Sequence, residues 1–253
     1  MTINILSPYR VFFIDETEKM WAVLKDGRVR VVGTPLSFAN ISALRQDLCG
    51  VEFDGEHTIV LKMPFGFSGQ EPKKLFRIFG YCYYPTLFEA KHPKIALLKA
   101  DLLNKVGTAD LVVYQRARIR FHPQFKLSAR IVPPVWDVCS HWLYYITAKG
   151  VLARTDGKMG EKITQFADLF CLSRQGSQLA YYDGENIYII SLETGQTKKI
   201  MAFNVTALGF GSREDELYFA TSNGESHIIQ TYNKQSEEIE LIVRSAAAIK
   251  MIL

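Results

Sequence analysis

The chain has 253 residues, is 48% hydrophobic and 22% charged, and carries a formal net charge of +4. That is the balance of a globular protein with a large core, and it argues against a disordered or collagen-like chain. There is no uncharged apolar run of 18 residues, so no spanning helix is expected. The opening MTINILSPYRVFFIDETEK lacks a basic segment leading into an apolar one, so no secretory leader is expected either.

Taken in order, TINIL (2–6) is a candidate strand, followed by RVFFIDETEKMWAVLKDGRVRVV (10–32), which reads as three strands with a tight turn at Asp26-Gly27. Residues 36–79 hold four apolar runs, ISALRQDL, VEFDG, HTIVLKM and KKLFRIFG. Residues 80–130 hold YPTLFEA, IALLKAD, ADLVVYQR, ARIRFHP and KLSARI. Within them KIALLKADLLNKV (94–106) fits either an amphipathic helix or a strand followed by a loop, and the strand keeps the pattern regular. Residues 131–166, 167–203 and 204–245 then repeat one another. Each has an inner run (WDVCSH, ADLFCLSR, VTALGFGS), an aromatic run (LYYIT, LAYYD, LYFAT), an apolar run and a short charged run. Turns at Asp156-Gly157, Asp183-Gly184 and Asn223-Gly224 supply the positive φ that tight hairpins require. The chain ends in SAAAIKMIL (245–253), one more inner run.

The leucine that opens the aromatic run recurs at 143, 179 and 217, a period near 40 with four strands per unit. That is the signature of a β-propeller. The fold class expected is all-β, a six-bladed propeller formed by residues 1–253, with blades at about 8–35 plus 246–253, 36–79, 80–130, 131–166, 167–203 and 204–245. Seven blades is the alternative if 80–130 hides two short ones. The C-terminal run is expected to supply the inner strand of blade one, in competition with TINIL, and so close the ring. Closure removes two open sheet edges, which would otherwise invite aggregation.

WLYYITAKGVLARTDGKMGEKIT (142–164) and SRQGSQLAYYDGENIYIISLETGQ (173–196) resemble six-bladed propellers of the YWTD, Tol-periplasmic and WD-repeat-like superfamilies. The resemblance covers three of the six blades. It departs at Arg174-Gln175-Gly176, where those families carry Asp-Gly, and there is no Gly-His…Trp-Asp pair; Trp136-Asp137 sits in an inner run. It implies a fold and carries over no catalytic residue.

Four cysteines, Cys49, Cys82, Cys139 and Cys171, lie far apart with no CxxC pair, and read as buried reduced thiols of a cytoplasmic protein. Five histidines, at 57, 92, 122, 141 and 227, are scattered singly, and His92 and His122 precede proline, so no metal site is assigned. No G-x-S-x-G nucleophile elbow and no phosphate-cradling G-x-x-x-x-G-K-[ST] loop occurs; FGFSGQEPKK (65–74) has the wrong order. A calcium-dependent lactonase set drawn from Glu52, Asn186, Asn204 or Asp137 stays open, with nothing to single it out. No catalytic residue and no cofactor is assigned.

The charge is unevenly spread. His57 to Arg130 holds thirteen Lys and Arg against Glu71, Glu89, Asp101 and Asp110, a net of +9 that leaves −5 on the remainder. Its densest part, RARIRFHPQFKLSAR (116–130), carries Arg116, Arg118, Arg120, Lys126 and Arg130 and no acid. Strand alternation would put the three arginines on one face, opposite Ala117, Ile119 and Phe121. Guanidinium forks suit carboxylates and phosphates, whereas a charged edge strand protected from pairing is the structural alternative. Nearby Phe79, Tyr81, Tyr83, Tyr84 and Phe88 serve either a contact surface or inner packing. The functional expectation is a non-enzymatic protein-interaction scaffold for another protein with acidic groups. The alternatives are a metal-dependent hydrolase, lactonase or ligand binder at the channel mouth, and nucleic-acid binding by the basic half.

Overall fold

Period-two apolar runs punctuated by Asx-Gly turns fold into β-strands throughout the residues described by the computed structural model, 9–33, 36–41, 47–64, 71–101, 104–118, 120–138, 141–211 and 214–253. Blade one is β1 (Tyr9–Asp15), β2 (Met20–Leu24) and β3 (Val29–Gly33), with β24 (Ile249–Ile252) on the inner side of β1. Blade two is β4 (Ser37–Ile41), β5 (Asp47–Phe53), β6 (His57–Pro64) and β7 (Lys73–Phe79). Blade three is β8 (Cys82–Phe88), β9 (Lys94–Lys99), β10 (Thr108–Ala117) and β11 (Arg120–Arg130). Blade four is β12 (Val135–Trp136), β13 (Leu143–Ile146), β14 (Leu152–Thr155) and β15 (Gly160–Lys162). Blade five is β16 (Leu169–Leu172), β17 (Gln178–Tyr182), β18 (Asn186–Ser191) and β19 (Thr197–Met201). Blade six is β20 (Val205–Phe210), β21 (Glu216–Ser222), β22 (His227–Asn233) and β23 (Ile239–Ser245). The fold is the six-bladed propeller.

Each blade is an antiparallel meander whose turns are set locally. Asp54, Asp183 and Asn223 each accept hydrogen bonds from the backbone N–H groups two and three residues on, which shapes the turn between the second and third strands of their blades. Both faces of a blade are covered by its neighbours, so the second strand of blade three, IALL of β9, is buried at four successive positions. That double burial, and not an amphipathic helix, is the reason for its apolar run.

Hydrophobic cores lie between every pair of adjacent blades, including the last and the first. Ile14, Met20, Ala39 and Leu48 join blades one and two, and Cys49, Val60, Leu97 and Val112 join two and three. Phe88, Leu98, Trp136 and Leu143 join three and four, Tyr144, Leu152, Phe170 and Leu179 join four and five, and Ile187, Ile200, Phe210 and Phe219 join five and six. Phe13, Tyr218, Ile229, Ile249 and Ile252 join six to one. At about 25 cal/mol per Å² of apolar surface removed from water, these interblade layers are the main source of stability.

Closure is carried by β24, which pairs antiparallel with β1 in the register Phe13↔Ile252, Ile14↔Met251 and Asp15↔Ile249. The Leu253 N–H donates to the Phe12 carbonyl at 2.9 Å and the Glu16 N–H to the Ala248 carbonyl at 2.7 Å. The competing run at 2–6 lies outside the described residues.

Two expectations about blades two and three change. The inner strand of blade two comes earlier than ISALRQDL, at β4, and Asp47 and Leu48 belong to the second strand. RFHP of the first run and KLSARI merge into one strand, β11, because a bulge opposite Val113 and Tyr114 leaves Gln124 unpaired and lets the other ten residues pair with β10.

Candidate functional site

In a four-stranded meander, the turns between first and second and between third and fourth strands lie on one face of the ring, here called the upper face. The remaining connections lie on the lower face. Arg116 is the last residue but one of β10, Arg118 sits in the turn with a left-handed φ of 56°, and Arg120 begins β11, so the three occupy the upper-face tip of the outer hairpin of blade three. They do not share a strand face, as alternation alone suggested. The register pairs Arg116 with Phe121, which packs toward blade two, and Arg120 with Ala117 on the opposite side. The reversal at Arg118 breaks the alternation. All three are exposed, and none has a carboxylate within 4 Å among the described residues.

The other basic residues of the stretch are used differently. Lys126 reaches Asp110 at 2.9 Å, and that carboxylate, mainly through its hydrogen bond, raises the lysine's pKa. Arg130 pairs with Asp168 of blade five at 2.6 Å and lies 5.1 Å over the Phe166 ring. Lys62 bridges Asp47 and Glu89, and Arg77 meets Asp54 at 2.6 Å. Lys62 and Arg130 tie blades together, Arg77 meets the turn at Asp54, and Lys126 clamps β11 to β10 within blade three.

Around the hairpin tip the fold gathers further cations that the local motif did not reveal. Phe76 of β7 stacks on Phe121 at 4.6 Å, which sets the start of β7, with exposed Lys73 and Lys74, beside the tip. The Arg116 N–H donates to the Pro93 carbonyl at 2.8 Å, which brings the loop carrying Lys91 and His92 alongside. Acids on this part of the face are Glu71, Asp47 and Glu89, and the last two already share Lys62. The net +9 of residues 57–130 was the signal for this gathering, although nothing local to Lys73 or Lys91 marked it.

The aromatic residues divide. Phe88 is buried against Trp136, at 5.5 Å between rings. Tyr81, Tyr83 and Tyr84 stand edge-on around Phe38, with centroids 4.9 to 6.1 Å apart. Phe38 and Tyr84 hold φ values of 48° and 47°, rare for bulky side chains. Phe79 is 64% exposed on the lower face, with the His57 ring against it at 5.6 Å.

Among the described residues the channel offers little to chemistry. A cavity of about 70 Å³ lies among the inner strands, bordered by Leu169, Cys171, Ala207, Gly209 and Met251, well below the several hundred Å³ of an ordinary ligand pocket. Asp137 follows β12 and belongs to the upper face, whereas Glu52 near the end of β5, Asn186 at the start of β18 and Asn204 before β20 belong to the lower. These four therefore do not converge on one ion. Among the described residues no three His, Cys, Asp or Glu side chains group as a metal would require. Residues 65–70 of FGFSGQEPKK, and Cys139, lie outside the described residues. Among the described residues no helix is long and apolar enough to cross a membrane.

The sequence matches no family model, and no curated protein matches it. Solved structures do. The fold is similar to TolB from Acinetobacter baumannii, at a TM-score of 0.68 and 12% identity over 96% of this chain and 66% of that one. It is similar to a chain of the nidogen/laminin complex, at 0.62 and 11% identity over 96% and 97%. It is also similar to a putative 6-phosphogluconolactonase from Bacteroides fragilis, at 0.54 and 12% identity over 100% and 99%. This chain thus spans just under two thirds of the TolB chain. At these identities the likeness is one of fold, and propellers of this fold include a laminin-complex component and a putative lactonase alike.

Proposed function

We propose that this propeller is a non-enzymatic protein-interaction scaffold that docks an acidic partner on its upper face at blades two and three, and that it works in the cytoplasm. The observation that carries this reading is the contrast within one stretch of chain. Lys62, Arg77, Lys126 and Arg130 each reach a carboxylate, whereas Arg116, Arg118 and Arg120 project from a hairpin tip with none among the described residues. Three guanidinium forks gathered at one hairpin tip suit carboxylates in geometry, and their summed field steers an acidic partner toward the face. Cys49 and Cys82 are buried thiols, which supports a reducing compartment.

The test is differential capture from native lysate, with and without nuclease treatment, with the wild type beside R116E/R118E/R120E. Partners with acidic segments are expected to be retained by the wild type and lost by the variant. Identical capture by both would overturn the reading, and loss of all binding on nuclease treatment would assign the basic face to nucleic acid.

A further inference from the structure

A second feature of the upper face follows from unequal blade sizes. β10 and β11 run ten and eleven residues, while β13, β14 and β15 of the next blade run four, four and three. The lower halves of the two blades are tied together: Ala129 bridges to Thr147, and the Ala148 N–H donates to the Ser128 carbonyl at 3.2 Å. The upper half of the long hairpin therefore overhangs its short neighbour. A cleft of about 200 Å³ opens between them, walled by Lys94, Gln115, Gln124 and Phe125 of blade three and by the Asp156-Gly157-Lys158 turn of blade four.

The turn is seated by contact with the opposite wall. Gly157 has φ +95°, and a Cβ there would stand 2.7 Å from Cε1 of Phe125, so only glycine brings the turn this close. Asp156 Oδ1 accepts the N–H groups of Met159 at 2.8 Å and Lys158 at 2.7 Å, which anchors the carboxylate and holds its pKa below the ordinary value. Lys94 Nζ lies 5.8 Å over the Trp136 ring, and neither Lys94 nor Lys158 has an ion-pair partner among the described residues. The residues lining the cleft thus carry two ammonium groups, one fixed carboxylate and two carboxamides, of which Gln124 Nε2 also donates to the His122 carbonyl at 3.5 Å.

We infer that this cleft is the receptor for a carboxylate side chain, a glutamate or aspartate of the docked partner. The inference rests on the scaffold reading above and names its anchoring point. A single negative charge balances two lysines against Asp156, whereas a doubly charged phosphate would face that carboxylate across the cleft. Carboxamides donate and accept, which suits them to the peptide groups on either side of an acidic side chain. Desolvation inside a cleft strengthens such a charge-assisted contact relative to one on the open hairpin tip.

The experiment is an NMR titration of the ¹⁵N-labelled full chain with N-acetyl-glutamate-N-methylamide, beside its glutamine analogue and inorganic phosphate. The glutamate probe is expected to shift the Gln115 and Gln124 side-chain amides and the Gly157 backbone amide saturably, and more strongly than either comparison. K94Q/K158Q should weaken it about tenfold, as for loss of a charge-assisted hydrogen bond, with signals elsewhere unmoved as proof of folding. R116E/R118E/R120E should leave the shifts at these three positions in place. No saturable shift, or equal shifts with phosphate or the glutamine analogue, would overturn the inference. Saturable glutamate binding in the cleft together with unchanged lysate capture would retain the receptor and remove the scaffold reading, so the two failures are distinguishable.

Discussion

A Cβ on Gly209 would stand 2.7 Å from the carbonyl oxygen of Ile252, so the inner strand of blade six meets the closing strand at backbone distance. The same strand is fixed from blade one by the Glu18–Lys250 pair at 2.7 Å, and Ile249 and Ile252 are buried. Deleting residues 246–253 should leave the inner edge of β1 unpaired, strip Ile249 and Ile252 from the core between blades six and one, and abolish cooperative thermal unfolding or solubility. The milder G209V keeps every strand and should cost about 1–3 kcal/mol through overpacking. Denaturant titration measures it. A truncated chain that melts like the full one would show that β24 does not close the ring.

Asp15 is 2% exposed, yet its carboxylate is fully engaged: Oδ1 accepts from Thr17 N–H, Thr17 Oγ1–H and Lys19 N–H, and Oδ2 from Trp21 Nε1–H at 2.8 Å. Burial pushes its pKa up, but the hydrogen bonds from Thr17, Trp21 and the backbone outweigh it and leave the pKa below the ordinary value. The folded chain then binds fewer protons here than the unfolded one. Its stabilisation is full above the ordinary carboxylate pKa of about 4 and is lost as pH falls through the lower folded value. D15N turns a donor toward one of these donors and should cost about 1–3 kcal/mol at neutral pH. The gap in Tm between wild type and D15N should narrow below about pH 4; a gap constant with pH would mean that Asp15 is not charged in the fold.

The late blades were legible because local chemistry and global fold agree there. Asp183-Gly184 and Asn223-Gly224 make the turns they spell, and Leu143, Leu179 and Leu217 mark equivalent buried positions. Blades two and three hide their pattern behind bulges. Phe38 and Tyr84 interrupt their inner strands with left-handed backbone, and the Val113–Tyr114 bulge makes one long strand look like two. The basic tip was visible as composition, but its geometry was not, since no rule of alternation survives the turn at Arg118. The cleft brings Lys94 and Lys158, 64 positions apart, to facing walls through a difference in strand length, and no local motif encodes it.

Burial governs the thiols. It raises the pKa of Cys49 to about 12, and that of Cys82 to about 11 even though Thr58 opposes it through a hydrogen bond. At neutral pH both are protonated and covered, so they are expected to resist alkylation in the native state and to react fully in denaturant. Mass-spectrometric mapping after iodoacetamide treatment checks this; native labelling of Cys49 within minutes would contradict the packing of blades two and three.

Stability separates the arginines that hold the fold from those free to act on a partner. Arg116, Arg118 and Arg120 are exposed with no acidic partner among the described residues, so their reversal to glutamate should change unfolding free energy by no more than about 0.5 kcal/mol. R130E would instead place a carboxylate against Asp168, remove the cation from the Phe166 ring, and loosen the contact between blades three, four and five. A loss of about 1 kcal/mol or more is expected for that single change. Paired urea titrations decide between the two roles. If the triple reversal unfolds the protein as readily as R130E does, the hairpin tip is structural and its charge serves the fold. If only R130E is costly, any binding lost in the triple variant reports on the surface itself.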